Sequence, residues 1–212
     1  MSSDLITLTF IIILALISPG PDFTIVLNNS LTYGRSAGFL TTAGVTTANF
    51  IHVLLNILGL SLLIAESPMT FDIFKLLGAS YLIYIGVKGL LSKATFEELN
   101  PTLVRNQVEP SFFIKGFLAC LLNPKVILFY LAFFSSFLPQ HSSFMTKLFY
   151  GIWINFLAFV WFSCVTLFFS INKFYKILYN YKHIIERITG LILIILGLKV
   201  LQSSIILKIY CD

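Results

Sequence analysis

The sequence predicts an all-α membrane protein: six transmembrane helices arranged as two inverted three-helix repeats, with helices 1 and 4 broken. Three observations carry this. The 212-residue chain is 58% hydrophobic, only 11% charged, and has a mean hydropathy of +0.93. Soluble domains carry about 25% charged residues, so a water-facing surface cannot be built from this composition. Six apolar stretches are long enough to span a bilayer, which takes about 20 residues each. And the two halves echo one another, each opening on an apolar run interrupted by proline and a charge.

The spans are expected near 5–27, 38–65, 71–91, 112–138, 144–170 and 188–209. They leave no segment for a soluble domain, so residues 1–212 form one transmembrane domain: repeat one over 1–92, a linker over 93–111, repeat two over 112–209. The first stretch is read as a span and not as a cleaved signal. Met1 to Asp4 hold no Lys or Arg, and Pro19 and Pro21 stand where a small-residue cleavage site would be needed.

The repeat is visible as matched strings. L-I-S-P-G-P-D-F-T-I-V-L in span 1 answers to L-L-N-P-K-V-I-L-F-Y-L in span 4; Gly44 answers to Gly151; Gly86 and Lys88 answer to Gly197 and Lys199. Three spans per repeat make the second half enter the membrane from the opposite side, a plan common among secondary transporters. Bases cluster in two connections: Lys88, Lys93, Arg105 and Lys115 in or beside 92–111, and Lys173, Lys176, Lys182 and Arg187 in 171–187. Positive residues mark the inner side, which places both termini outside. The net charge of +5 is then a matter of topology and attraction to anionic lipid, and no nucleic-acid motif accompanies it. Cys120, Cys164 and Cys211 have neither C-x-x-C nor metal spacing.

Chemistry is expected at the two breaks, Ser18-Pro19-Gly20-Pro21-Asp22 and Asn123-Pro124-Lys125. Proline removes a helical N–H and clashes with the carbonyl four residues back. Inside a bilayer the freed backbone groups survive only against protein or a wet cavity, where they become ligands for a polar solute. The half-helix after each break offers N–H groups suited to an anion. Asn123 is a good N-cap, and Pro124 fits the first helical position. Asp22 can accept a cationic amine or a proton, and Lys125 can attract a carboxylate; the bland alternative is that the two only hold the bundle closed. Intramembrane charges are costly and face the interior.

In span 2, Gly44, Ala48, His52 and Asn56 share one helix face. The stripe reads equally as a packing seam or as a solute-facing edge on which His52 relays a proton. Asn49 beside it and Asn155 in span 5 are secondary candidates. Trp153 and Trp161 read as lipid-facing or belt residues.

With these residues in view, the chain resembles the lysine exporter superfamily, particularly its homoserine/threonine efflux branch. The resemblance rests on S-P-G-P-D at 18–22, Y-G-R-S-A-G at 33–38, the Gly44-to-His52 segment, G-A-S-Y-L-I-Y-I-G at 78–86 and L-L-N-P-K at 121–125. It implies a six-span exporter of amino acids or similar small metabolites in the bacterial inner membrane, driven by the proton gradient; in such a membrane the charge distribution above makes both termini periplasmic. The partners so implied are an amino-acid-like substrate and membrane lipid, with no nucleic acid, no cofactor and no metal; a homo-oligomer is left open. The family often carries a second glycine and an acidic residue near Ala48 and Asn49, both absent here, and varies between Asn and Asp at the position of Asp22. Two rivals stand beside this reading, a membrane-embedded lipid-modifying enzyme and a passive small-solute channel. The first lacks a metal, nucleophile or H-E-x-x-H constellation. A structural subunit would not need charged breaks in both halves.

Overall fold

The computed structural model describes residues 2–17, 20–66, 68–91, 110–136, 142–169, 181, 183–198 and 201–202. Residues 93–109 of the linker, and 203–209 of the last predicted span, lie outside the described residues. Among the described residues all regular structure is helical. The elements are α1 (Ser2–Ile17), α2 (Pro21–Tyr33), α3 (Arg35–Glu66), α4 (Pro68–Leu90), α5 (Ser111–Leu121), α6 (Pro124–Ser136) and α7 (Phe144–Cys164), which runs into a π-helical turn at Val165–Phe169. Residues 183–198 form a further helix, α8.

The prolines act where the sequence placed them. Pro21 opens α2 after an extended Gly20, and Pro124 opens α6. Each helix pair bends at its break, by 59° between α1 and α2 and by 55° between α5 and α6. Two unbroken helices, within Arg35–Gly59 and Phe144–Phe168, are long and apolar enough to cross a bilayer, and each bent pair makes a further candidate span. The third and sixth predicted spans fall on α4 and α8, which are not among these candidates. Within α4 the stretch Leu76–Leu90 is an apolar helix. The surface is that of a protein in lipid: Ile6, Phe10, Leu55, Phe149, Phe156 and Ile195 are all more than half exposed, a breadth of apolar surface that a soluble monomer does not carry.

Helix α3 occupies the middle, packed on α2, α5, α6 and α7. Its contact with α5 is backbone on backbone. A Cβ at Gly44 would collide with the Phe113 carbonyl, and one at Gly116 with the Thr41 carbonyl. Between α2 and α3, Gly34 takes φ 89° and ψ 178°, a region open in practice only to glycine. Around the centre lie two apolar clusters. Phe23, Val26, Leu27, Val45 and Phe162 build one, and Ile12, Val53, Ile57, Phe133 and Ile154 the other. Trp153 donates from Nε1 to Thr9 Oγ1 at 2.9 Å, pinning α7 to α1, an inward contact for a residue expected to face lipid.

Helices α4 and α8 cross just as closely, and in a patterned way. Gly86 meets the Gly190 carbonyl and Ile194; Gly197 meets the Ala79 carbonyl and Ile83. Ala79, Ile83 and Gly86 thus correspond to Gly190, Ile194 and Gly197 at one constant offset along the chain. Gly44 and Gly151, the other matched glycines, do not share a contact type: Gly151 packs on the Val53 side chain.

Candidate functional site

The two breaks meet. Asn123 Nδ2 donates to Asp22 Oδ1 at 2.8 Å, tying the second break to the first turn of α2. Asn123 Oδ1 accepts from the Lys125 backbone N–H at 3.0 Å, which caps α6 as its residue type predicts. The Lys125 side chain lies along Gly20: a Cβ there would stand 3.7 Å from Lys125 Nζ. Asp22 and Asn123 are buried, Lys125 half-buried. The described members of the two predicted segments, Gly20, Pro21, Asp22, Asn123, Pro124 and Lys125, therefore surround one point. Ser18 and Pro19 lie outside the described residues.

Backbone groups released by the second break find partners, as a low-dielectric setting requires. Leu122 N–H donates to the Leu118 carbonyl, and Asn123 N–H to the Cys120 carbonyl. His52 reaches that same Cys120 carbonyl through Nε2 at 3.3 Å; since a carbonyl only accepts, Nε2 carries the proton in this bond. The His52 ring stacks on Tyr130 with centroids 6.1 Å apart. The Gly44–Ala48–His52 face is thus the seam on α5, and His52 lines neither cavity described below. Asn49 accepts from Cys120 Sγ at 3.3 Å. Asn155 on α7 is not brought to the breaks; its Oδ1 is buried with no hydrogen bond among the described residues.

Two cavities adjoin the meeting point. A central one of about 60 Å³ has a polar side made by Asp22, Asn49, Asn123 and Lys125 and an apolar side that includes Ile12, Val126, Phe129, Tyr130 and Phe162. A larger one, about 310 Å³, lies toward the end where α4 finishes and α8 begins; Tyr81, Tyr84, Lys88, Glu186 and Thr189 line it with both proline turns. Gly20, Asn123 and Lys125 line both. Asp22 and Glu186 both lie within electrostatic reach of Lys125.

Sequence reading missed Glu186 and Tyr130. For Glu186 a signal existed: Glu186, Thr189, Gly190 and Leu193 follow i, i+3, i+4, i+7 and share one helix face, which puts Glu186 and Thr189 in line with a small and an apolar residue. Tyr130 carries no mark that separates it from its aromatic neighbours. Among the described residues there is no His, Cys, Asp and Glu grouping able to hold a metal ion.

Comparison with known proteins places this geometry in context. The profile of the family described as LysE type translocator matches residues 13–204. An uncharacterized membrane protein, YrhP, of Bacillus subtilis (strain 168) is 31% identical over 191 residues, covering 86% of this chain and 91% of that protein. The leucine efflux protein of Salmonella typhimurium is 37% identical over 122 residues, 57% of this chain and 56% of that protein. No solved structure matches the chain.

Proposed function

The chain belongs to the LysE type translocator family, and from that premise we propose that it exports amino acids or related small zwitterions across the bacterial inner membrane, holding its substrate between the two broken helix pairs. Family membership makes it a membrane transporter and not an enzyme. The observation that carries the substrate reading is the meeting of the breaks. Asp22, joined to Asn123 at 2.8 Å, offers a carboxylate to an amine; Lys125 and the starts of α2 and α6 offer positive potential to a carboxylate. Opposite charges on opposite sides of one buried point suit a zwitterion. The apolar wall of Ile12, Val126, Phe129 and Phe162 suits an aliphatic side chain, and a relative is named a leucine efflux protein.

The architecture we infer is six spans in two inverted three-helix repeats, with both termini periplasmic. Two features support it: bends of 59° and 55° at the two breaks, and the constant-offset crossing of α4 and α8. On this topology the larger cavity opens to the cytoplasm, and the substrate moves from it through the breaks to the far side as the two halves rock. Export is coupled to an inward proton through Asp22; His52, held against the Cys120 carbonyl, is the second candidate for that path.

The test uses inverted membrane vesicles with an imposed proton gradient and labelled leucine. Wild-type protein accumulates leucine and loses it on adding a protonophore. Asp22→Asn uncouples accumulation from the gradient, and Lys125→Ala lowers transport at least about ten-fold, the loss expected for one charge-assisted contact. Undiminished transport in both variants would remove the breaks from the mechanism, and leucine equilibration that ignores the gradient would establish the passive channel instead.

A further inference from the structure

One buried amide in the central cavity is only half engaged. Asn49 stands in the middle of α3, is 4% exposed, and lines the cavity between the breaks. Its Oδ1 accepts from Cys120 Sγ at 3.3 Å, whereas its Nδ2 donates to no group among the described residues. Val45 and Val53, one turn before and one turn after on the same helix face, are fully buried. Packing alone would be served by one more apolar side chain there. A buried donor is costly unless it meets an acceptor, so the use of this one lies in what the cavity receives.

Tyr130 on α6 repeats the pattern. It is 3% exposed, lines the same cavity, and has its ring held against His52 and Phe134. Its hydroxyl makes no hydrogen bond among the described residues. Both donors gather around the first break. Cys120, which bonds Asn49, lies within electrostatic reach of Asp22, and so does Tyr130.

The rest of the cavity decides which acceptor they meet. Ile12, Ala15, Leu16, Val126 and Ile154 make its wall apolar, and a solute with an aliphatic side chain brings one strong acceptor, its carboxylate. In an α-amino acid that group sits one carbon from the amine. An ammonium resting on Asp22 therefore puts the carboxylate in the neighbourhood of Asn49 and Tyr130. Two neutral donors bring no further charge into the bilayer interior, where charge is costly. A carboxylate has about four acceptor positions, enough for both beside Lys125.

We propose that Asn49 is a specificity-determining residue: its Nδ2, with the Tyr130 hydroxyl as second donor, binds the carboxylate of an α-amino acid whose amine rests on Asp22, and so selects amino acids over amines that lack the carboxylate. This rests on the proposed export function, so its test keeps the two apart.

The probe is labelled leucine in inverted vesicles, with isopentylamine, the leucine skeleton without the carboxylate, as competitor. In wild-type protein isopentylamine competes poorly. Asn49→Leu, which keeps the volume and removes the donor, is expected at equal membrane level to raise KM for leucine about ten- to a hundred-fold. Inhibition by isopentylamine should stay as in wild type, so the preference for leucine narrows by the same factor. Asn49→Ser, with a donor on a shorter arm, should recover the preference in part. A residue that only shaped the cavity would weaken both ligands alike and leave the preference unchanged. If Asn49→Leu does not reach the membrane or does not transport, Tyr130→Phe, which removes one hydroxyl and no packing volume, reads the subsite in its stead: a narrowed preference supports it and an unchanged one overturns it. An unchanged preference in Asn49→Leu, in a protein whose leucine transport still falls on Lys125→Ala, would overturn the subsite and leave the export function standing. Wild-type vesicles that take up no amino acid from a mixed pool would overturn both.

Discussion

Replacing Asn123 with Ala removes two interactions that the structure allows to be weighed separately. Asn123 Oδ1 caps α6 by accepting from the Lys125 N–H at 3.0 Å, and losing such a cap costs about 1 kcal/mol. Asn123 Nδ2 donates to Asp22 Oδ1 at 2.8 Å, with Asp22 8% and Asn123 4% exposed, so water cannot readily take the vacated place. Stripping that donor from a buried carboxyl costs about 1–3 kcal/mol, more if the group is ionised. Asn123→Ala is therefore expected to destabilise the folded protein by about 2–4 kcal/mol. In an Asp22→Ala background only the cap of about 1 kcal/mol remains to be lost. The coupling between the positions is then about 1–3 kcal/mol, well above the roughly 0.5 kcal/mol scatter of independent sites. Equilibrium unfolding of the four proteins in mixed micelles, titrated with SDS and followed by tryptophan fluorescence, measures it. Asn123→Ser should fall between, because serine keeps the cap but is too short to replace the amide. Additive losses across the cycle would refute the reasoning, since the breaks would then not be joined through this bond.

Three further perturbations test the scaffold. Gly44→Ala sets a methyl against the Phe113 carbonyl and the Phe117 amide, so α3 and α5 must separate; a loss of about 1–3 kcal/mol is expected, whereas Gly59→Ala, with nothing within 4 Å of the added carbon, should gain about 0.5–1 kcal/mol from helix propensity. Gly34→Ala and Gly34→Asn should both cost about 1–3 kcal/mol, because φ 89° with ψ 178° is not the left-handed helical region that asparagine tolerates; equal stability of the Asn variant would contradict this. Trp153→Phe and Thr9→Val should each cost about 1 kcal/mol in the same unfolding assay, and the double variant little more than either, as both remove the single bond at 2.9 Å.

Both breaks were legible in the sequence because their cause is local. Pro21 after Gly20, and Pro124 after Asn123, would interrupt a helix in any surroundings, and an interruption inside apolar sequence has few tolerable places to sit. That the breaks adjoin was legible only through the repeat. Glu186 was not legible in the same way. Along the chain it sits beside Arg187 at the edge of a basic connection and reads as one more solvated charge. Its cavity position follows from how α8 rests on α4, and that in turn from backbone contacts at Gly86, Gly89 and Gly190, glycines whose close approach no hydropathy pattern announces. His52 shows the converse. The stripe Gly44–Ala48–His52 allowed two readings because spacing defines a face and not what the face meets; α5 covers it, and His52 Nε2 donates a hydrogen bond to the Cys120 carbonyl.

The chemistry of the breaks argues that the two halves are alike in shape and unlike in charge for one reason. A site built with strict symmetry between repeats would present two carboxylates or two ammoniums to its ligand, and would suit a symmetric ion. Here α2 starts with Asp22 and no side-chain cap, while α6 starts with an Asn123 cap and Lys125. The backbone plan that unwinds both helices is shared, and on the proposed function the side chains divide the work between the ends of a zwitterion. The dividing line runs through Asn123, whose one amide bonds both halves: its nitrogen serves the Asp22 carboxyl and its oxygen the α6 start. Any motion that opens the breaks to pass a solute must stretch or exchange the 2.8 Å bond to Asp22, and an incoming ammonium is a donor able to take its place. On that argument substrate binding and the loosening of the gate are one exchange of hydrogen-bond partners at Asp22, and a ligand without an amine would occupy the site and leave the gate shut.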